Sequence, residues 1–385
     1  MNNVYAKYVD RLEQLKAKDS FRFFKKIERH GHHIVLNQQK MLNLSSNDYL
    51  GLAQDQNLKQ RSLEEIPLQF QHLTSSSSRL LTGNFEEYEY LEANLTKAFG
   101  RASLLFNSGY HMNLGILAAV TDEHSLIISD ELIHASMIDG IRLSKAKRER
   151  YKHQDLNELE QKIQIASENN SIDRIIVVTE SVYSMDGDVT DLKQLVSLKQ
   201  KYPKLMLYVD DAHGIGVFGH KGLGVAEAMG CIADIDFLVG TFGKALASIG
   251  GYLICEEVIK DFLINTMRPL IFSTAQAPIN MAWTNFVFEH MQTLHAKREN
   301  LSHISQQLKH AIVKKGFICP SESHIIPVIY GENQITLDKA KQMQAAGFYV
   351  LPIRPPTVPV GTSRVRICLH ADLTWQQIEP LVDHL

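Results

Sequence analysis

Two segments of the sequence combine a strand end with residues that could do chemistry. Lys244 lies in GTFGKALASIGG (240–251), where small neighbours leave room beside its amine. Asp210 lies in VDDAHG (209–214), directly after an apolar run. The 34 residues from Asp210 to Lys244 suffice for one crossover and a return to the same edge of a parallel sheet. We therefore expect the amine and the carboxylate to face one site.

An amine that can form a Schiff base and a carboxylate that can pair with a pyridinium nitrogen are the minimal set for pyridoxal 5′-phosphate (PLP) chemistry. The phosphate needs donors, and the backbone N–H groups of Gly109 and Tyr110 offer them at the predicted start of a helix. Thr241 adds a hydroxyl near Lys244, and His134 adds a ring that can stack on the cofactor. Their shared position after apolar runs favours a PLP site.

Three other motifs suggest alternative chemistry. GIGVFG (214–219) matches the dinucleotide pattern G-x-G-x-x-G and would indicate an NAD-dependent oxidoreductase, but DDAH separates it from the preceding strand. GTFGK (240–244) lacks both the spacing and the Ser or Thr of a P-loop. HGHH (30–33) has no nearby carboxylate or cysteine at ligand spacing, so we expect no metal site.

The elements that position these residues alternate between helix and strand over residues 84–255. The apolar runs lie at 102–106, 125–129, 174–179, 205–210, 236–240 and 251–255. Such runs predict a mostly parallel sheet covered on both faces, and ligands bind beyond the carboxyl ends of its strands. Helical spacing predicts an amphipathic helix over residues 3–29.

The length of 385 residues predicts more than one domain. We expect an N-terminal helix and arm over residues 1–45, a large PLP-binding domain over 46–280 and a small C-terminal domain over 281–385. The long helical stretch at 276–314 and the shorter strands and helices after it indicate where the large domain ends.

Composition excludes several classes of protein. A formal net charge of −3 offers no electrostatic footprint for nucleic acid. The first 20 residues contain no apolar h-region, and we find no apolar run long enough to span a bilayer, so we expect no membrane partner. The four cysteines are scattered without C-x-x-C pairing, which favours free thiols in the cytoplasm.

Taken together, the motifs resemble the α-oxoamine synthase family of fold-type I PLP enzymes. The matching segments are LSSNDYLGL (44–52), SRLLTG (78–83), FNSGYHMN (106–113), HASMIDG (134–140), TESVYSMDGD (179–188), VDDAHGIGVFG (209–219), TFGKALASIGG (241–251), FST (272–274) and IRPPTVPVGTSRVR (353–366). The resemblance implies an α/β fold with a mostly parallel seven-stranded sheet and a smaller α+β C-terminal domain. It also implies a homodimer with active sites at the subunit interface.

The resemblance assigns catalytic roles to four residues. Lys244 would hold the cofactor covalently and act as a base, and Asp210 would pair with the pyridine nitrogen. His213 would hydrogen-bond the ring hydroxyl, and His134 would stack on the ring.

The remaining roles are binding roles. The phosphate would be held by Gly109, Tyr110 and Thr241, with Ser273 and Thr274 of the partner subunit, while Ser184 would lie against the cofactor. For the substrates, the resemblance implies that Asn47 and Arg366 receive the amino-acid carboxylate and that Arg22 lies near the acyl entrance.

Within the family, SNDYLGL and IRPPTVP are most similar to the branch that condenses L-alanine with a pimeloyl thioester of CoA or acyl carrier protein in biotin synthesis. The branches that form 5-aminolevulinate or 2-amino-3-ketobutyrate are the alternatives, and a non-enzymatic descendant of the fold is a third. Two departures from the family pattern stand out. TSSSS (74–78) replaces a glycine-rich run, and Tyr88 replaces a histidine.

Overall fold

The structure is a computed structural model that describes residues 4–385. Contacts divide the chain into two compact bodies. The larger body contains residues 47–184 and 188–301, and the smaller contains the described residues up to Ser46, residues 185–187 and residues 302–385. These bodies do not coincide with the three expected segments. The larger body extends past the expected boundary at residue 280 because the Pro278–Gln292 helix packs on the Glu86–Phe99 helix of that body.

The larger body is built on a sheet of seven strands among the described residues. In chain order the strands are β1 (Ala102–Phe106), β2 (Ser125–Asp130), β3 (Lys147–Tyr151), β4 (Arg174–Glu180), β5 (Leu205–Asp210), β6 (Phe237–Thr241) and β7 (Gly251–Cys255). Their spatial order is β1-β7-β6-β5-β4-β2-β3. Strand β7 runs antiparallel to β1 and β6, and every other pair is parallel. The predicted α/β fold with a mostly parallel sheet is confirmed.

In the large sheet, β3 is the strand that the sequence did not predict; in the smaller body, the strands Glu28–His30, His33–Leu36 and Gln39–Asn43 were not predicted either. The sequence of β3, KRERY, is charged, and only Tyr151 is buried. An edge strand has one neighbour and faces solvent, so it needs no apolar run to be stable. The central strands β4, β5 and β6 are buried almost throughout, as their apolar runs predicted.

Helices cover the sheet, and two of them shape the site described below. They are α1 (Gly109–Ala119), which follows β1, and α2 (Ala135–Leu143), which follows β2. The other helical segments that lie in the larger body are Leu52–Gln54, Gln56–Glu65, Leu68–Phe70, Arg79–Gly83, Glu86–Phe99, Leu156–Glu168, Leu192–Lys201, Val225–Ala228, Ile232–Asp234, Glu257–Thr266, Arg268–Ile271 and Pro278–Gln292. The helix His295–Lys314 contains the division between the bodies.

The smaller body has two sheets. One contains Glu28–His30, His33–Leu36, Gln39–Asn43 and Phe348–Tyr349, and the other contains Ile325–Gly331, Leu351–Ile353 and Ser363–Cys368. Its other helices are Ala6–Ala17, Asn333–Ala345, Trp375–Ile378 and Glu379–His384. The N-terminal arm belongs to this body because the strand Gln39–Asn43 pairs in parallel with Phe348–Tyr349.

The N-terminal helix is shorter than predicted. It spans Ala6–Ala17 instead of residues 3–29, and residue 3 lies outside the described residues. The chain turns at Asp19, which has a φ of 50°, and the backbone N–H of Ser20 bonds back to Leu15. A residue in the left-handed region after the last turn is a common way for a helix to end. No helix within residues 4–385 is long and apolar enough to cross a membrane.

Candidate active site

Lys244 begins a chain of hydrogen bonds at the carboxyl edge of the large sheet. Its Nζ atom lies 2.9 Å from Nε2 of His213, which follows β5. Nδ1 of His213 lies 2.6 Å from the hydroxyl of Tyr49, and that hydroxyl donates to Oδ1 of Asn47 at 3.0 Å. If Nδ1 carries the ring proton, each group has a matching partner and Nε2 accepts from the lysine amine. The structure thus brings three predicted residues together and adds Tyr49.

Asp210 is the last residue of β5, between Glu180 of β4 and Val239 of β6. It is buried, and one carboxylate oxygen accepts from the backbone N–H of Ala212 at 3.0 Å. The other oxygen accepts from Nδ2 of Asn113 at 2.8 Å. Two donors hold this buried carboxylate in a fixed orientation.

Asn113 is a site residue to which the sequence analysis gave no role. The hydroxyl of Tyr208 donates to its Oδ1 at 2.6 Å, and its Nδ2 also donates to Ser136 at 3.0 Å. These contacts fix which side of the amide faces Asp210. Asn113 comes four residues after Gly109 on α1, so both lie on one helix face. That spacing within FNSGYHMN was the signal that could have identified it.

His134 caps the start of α2, with its Nδ1 atom 2.8 Å from the hydroxyl of Ser136. Desolvation lowers the pKa of His134 from its ordinary value, the nearby charge of Asp210 opposes this, and the charge of Lys244 adds to it. The ring therefore favours its neutral form at pH 7, although it remains exposed to solvent. A neutral, accessible ring beside Asp210 and Lys244 suits stacking on a planar heterocycle.

A second buried carboxyl lies next to Asp210. Burial raises the pKa of Glu180 well above its usual range, and the charge of Asp210 raises it further, while Lys244 lowers it. Burial therefore favours the neutral form of the Glu180 carboxyl over its anion.

The start of α1 forms a compact turn against β6 and β7. Ser108 caps the helix by accepting from the backbone N–H of His111 at 3.2 Å. A Cβ atom on Gly251 would lie 3.1 Å from the backbone nitrogen of Gly109, so the two glycines allow a close approach. Thr241 lies beside Gly109 and donates to the carbonyl of Gly250 at 2.8 Å. The positive end of α1 and its N–H groups can bind an anion there.

The other predicted cofactor ligands lie on three separate segments of the larger body. Tyr110 is exposed at the start of α1, and Ser184 is half-buried after β4. Ser273 and Thr274 follow the Arg268–Ile271 helix, and the carbonyl of Thr274 accepts from Nδ2 of Asn107 at 2.7 Å.

Two of the predicted substrate ligands are described within the smaller body. Arg22 is exposed and donates to Thr357 at 3.0 Å. Arg366 is buried in the strand Ser363–Cys368, where Leu351 and Pro327 are its cross-strand neighbours. Their contacts with substrate stay predictions.

Gly214 of GIGVFG packs against a buried acid, and the motif does not open a long helix. Asp211 is fully buried, accepts from the hydroxyl of Ser181, and lies beside the backbone N–H groups of Val225 and Ala226 at the start of a four-residue helix. Desolvation raises its pKa to about 7. A Cβ atom on Gly214 would collide with this carboxylate. A Cβ atom on Gly216 would collide with Ala245, and one on Gly219 would collide with Glu227, so close packing explains these glycines without a dinucleotide.

The histidine cluster HGHH has a carboxylate neighbour that local spacing could not reveal. The ring of His32 stacks on that of His370 at 4.2 Å, and its Nε2 lies 3.7 Å from Asp372. The donor atoms of these three residues lie within 4.8 Å of one another, which is compatible with a metal ion.

Comparison with known proteins is consistent with this geometry. A family profile described as aminotransferase class I and II matches residues 39–385. A protein of Pasteurella multocida named "Putative 8-amino-7-oxononanoate synthase" is 54% identical over 97% of both chains. A Haemophilus influenzae protein of the same name is 52% identical over 98% of this chain and 99% of its own.

Solved structures agree with the sequence relatives. A serine palmitoyltransferase from S. paucimobilis with bound PLP and myriocin superposes with a TM-score of 0.88 at 27% identity, covering 99% of this chain and 96% of its own. An 8-amino-7-oxononanoate synthase from Francisella tularensis superposes with a TM-score of 0.76 at 25% identity, covering 89% and 96%.

Proposed function

Because the chain belongs to the aminotransferase class I and II family, and within it to the α-oxoamine synthases, we propose that it is a PLP-dependent acyltransferase of biotin synthesis. It would condense L-alanine with a pimeloyl thioester and release carbon dioxide and the thiol, which yields 8-amino-7-oxononanoate. The observation that carries this proposal is the convergence of Lys244, His213 and Asp210 at one sheet edge. The names of the relatives support the choice of branch.

The residues at the sheet edge fit PLP. They supply an amine, a buried carboxylate beside an acid whose pKa is raised by burial, a ring that favours its neutral form, and a helix start that can hold an anion. PLP supplies an electron sink for negative charge that develops on the α-carbon of the amino acid. No metal ion is needed for this chemistry.

Lys244 would attach the cofactor and then, once displaced by the substrate amine, act as the general base for the α-proton. A lysine ordinarily has a pKa of about 10.4, so it acts as a base only where its surroundings favour the neutral amine. Nε2 of His213 lies within hydrogen-bond distance and orients that amine. Asp210 would keep a proton on the pyridine nitrogen, and Asn113 holds its carboxylate in place.

The substrate contacts are part of the proposal. Arg366 suits a carboxylate because its guanidinium can donate two parallel hydrogen bonds. Asn47 would share that carboxylate, and Arg22 would lie near the acyl thioester, as the family resemblance implies. We also propose a homodimer that works in the reducing cytoplasm, where the four free, buried cysteines would stay reduced.

The test is a substrate matrix. The purified protein is supplied with PLP and with alanine, glycine or serine, each in combination with pimeloyl-CoA, pimeloyl carrier protein, acetyl-CoA or succinyl-CoA. We expect release of carbon dioxide and thiol only with alanine and a pimeloyl donor. Preference for glycine with succinyl-CoA or acetyl-CoA would assign the chain to another branch. A colourless protein that binds NAD would overturn the class of enzyme itself.

A further inference from the structure

The two departures from the family pattern meet at one short backbone segment. Ser75 is buried, and its hydroxyl donates to the carbonyl of Ala275 at 2.6 Å. The backbone N–H of Ala275 in turn donates to the carbonyl of Ser77 at 2.8 Å. The next N–H along the chain, that of Gln276, donates to the hydroxyl of Tyr88 at 2.6 Å. The serine run therefore bonds to Ala275, and Tyr88 bonds to the next residue, Gln276.

The same segment bonds on its other side to the residues before α1. The side chain of Gln276 donates to the carbonyls of Phe106 at 3.3 Å and Asn107 at 3.1 Å. The side chain of Asn107 donates back to the carbonyl of Thr274 at 2.7 Å. Residues 274–276 thus link Tyr88 and Ser75 to the turn that leads into Ser108 and Gly109.

Tyr88 is itself held rigidly. It is almost fully buried, and the guanidinium of Arg79 lies 4.4 Å from the centre of its ring. Arg79 pairs with Glu92 at 2.7 Å, and Glu92 accepts from the backbone of Leu105 in β1 at 3.1 Å. Burial raises the pKa of Tyr88 to about 12, so the hydroxyl stays protonated at neutral pH.

We propose that Tyr88 and Ser75 are positioning residues that set the turn at Asn107–Gly109 for the phosphate of the cofactor. This inference rests on the proposed function, because it requires PLP. Backbone N–H groups bind an anion only when several of them point at it together, so a small displacement of the turn weakens the contact. Neither residue needs to touch the cofactor.

The test separates phosphate binding from general stability. Tyr88→Phe removes the acceptor for a buried N–H and keeps the ring, and Ser75→Ala removes the other hydroxyl. Dissociation constants for PLP and for pyridoxal, which lacks the phosphate, are measured from the visible absorption of the bound forms. We expect each variant to bind PLP about tenfold more weakly, with pyridoxal binding nearly unchanged. Tyr90→Phe, an exposed tyrosine on the same helix, is the matched control.

Each result is decisive. Equal loss for PLP and pyridoxal would show a merely structural role, and unchanged PLP binding in both variants would also overturn the proposal. Thermal unfolding checks that the variants fold. If Tyr88→Phe does not fold, Ser75→Ala alone tests the proposal. A wild-type protein that binds no PLP would overturn this inference together with the proposed function, whereas an unexpected thioester preference would affect the function alone.

Discussion

Lys244 is the residue on which the proposed chemistry depends most directly. Its amine contacts His213, and small residues surround it, since Gly243, Ala245 and Ala247 are its neighbours. We expect Lys244→Ala to fold normally but to lose both the visible absorption of the bound cofactor and all turnover. Absorption spectra and thiol release check this, with the exposed Lys221→Ala as control. Steady synthesis by Lys244→Ala would contradict the assigned role.

Two adjacent acids have different tasks because their side chains point to opposite surroundings. Asp210 faces the site, and Asp211 accepts from the hydroxyl of Ser181 beside the start of the Val225–Ala228 helix. We expect Asp210→Asn to slow α-deuterium exchange of alanine by orders of magnitude with little loss of stability. We expect Asp211→Asn to lower the free energy of unfolding by about 2 kcal/mol, because a buried acceptor is lost. NMR measures the deuterium exchange, and chemical denaturation measures the free energy of unfolding. Slower exchange in Asp211→Asn together with lost stability in Asp210→Asn would refute these roles.

At the scale of elements, the sequence predicted most of the sheet because buried parallel strands require continuous apolar runs. It failed at β3, whose edge position tolerates KRERY, and at the length of the N-terminal helix, which the turn at Asp19 ends. The carboxyl ends of β5 and β6 were predictable as the site because parallel strands direct their ends to one edge. The position of Asn113 on the same face of α1 as Gly109 was predictable from its spacing, but its contact with Asp210 was not, because that contact depends on how α1 packs on the sheet.

One ionic contact ties β2 to the segment after β4. His153 follows β3, and both of its ring nitrogens face carboxylates, with Asp130 at 3.0 Å and Asp188 at 2.9 Å. Both nitrogens can donate only when the ring is an imidazolium. Although desolvation opposes it, the two carboxylates raise the pKa of His153 to about 10. Gln154 bonds to both acids, and the ring of Tyr183 lies edge-on at 4.4 Å.

This contact predicts how stability depends on pH. The pKa of His153 is higher in the folded state than its ordinary 6.5, so its contribution is complete below about 6.5 and is lost as pH rises through about 10. We expect His153→Gln to cost about 3 kcal/mol at pH 6 and much less at pH 10. Urea denaturation across this range measures it, with the exposed His124→Gln as control. If the difference in unfolding free energy between the wild type and His153→Gln does not change with pH, His153 is not an imidazolium in the folded protein.

At the scale of the whole molecule, local sequence spacing could not locate the division between the bodies. Residues 185–187 and the N-terminal arm belong to the smaller body through contacts with residues more than a hundred positions away, such as Asp186 with Arg364. His32 and Asp372 meet for the same reason. Such contacts follow from the folded path of the chain, and no window of the sequence contains both partners.

The surface near Ser273 and Thr274 supports the proposed dimer. Leu80, Leu81 and Phe272 have exposed fractions of 52%, 79% and 72%. The Arg268–Ile271 helix, which ends just before Phe272, contacts the Arg79–Gly83 turn that carries both leucines. Large exposed apolar side chains that cluster in this way are typical of a surface covered by another protein.

Mixing two inactive variants tests whether each site needs both subunits. If Ser273 and Thr274 complete the phosphate site of the partner subunit, the double variant Ser273→Ala, Thr274→Val is impaired, and so is Lys244→Ala. In a hybrid dimer, one site would combine the intact lysine of one chain with the intact hydroxyls of the other. Random reassociation makes half of the dimers hybrids, so we expect about a quarter of wild-type turnover from the mixture. Sedimentation checks the oligomeric state, and a mixture that stays inactive would mean that each chain builds its phosphate site alone.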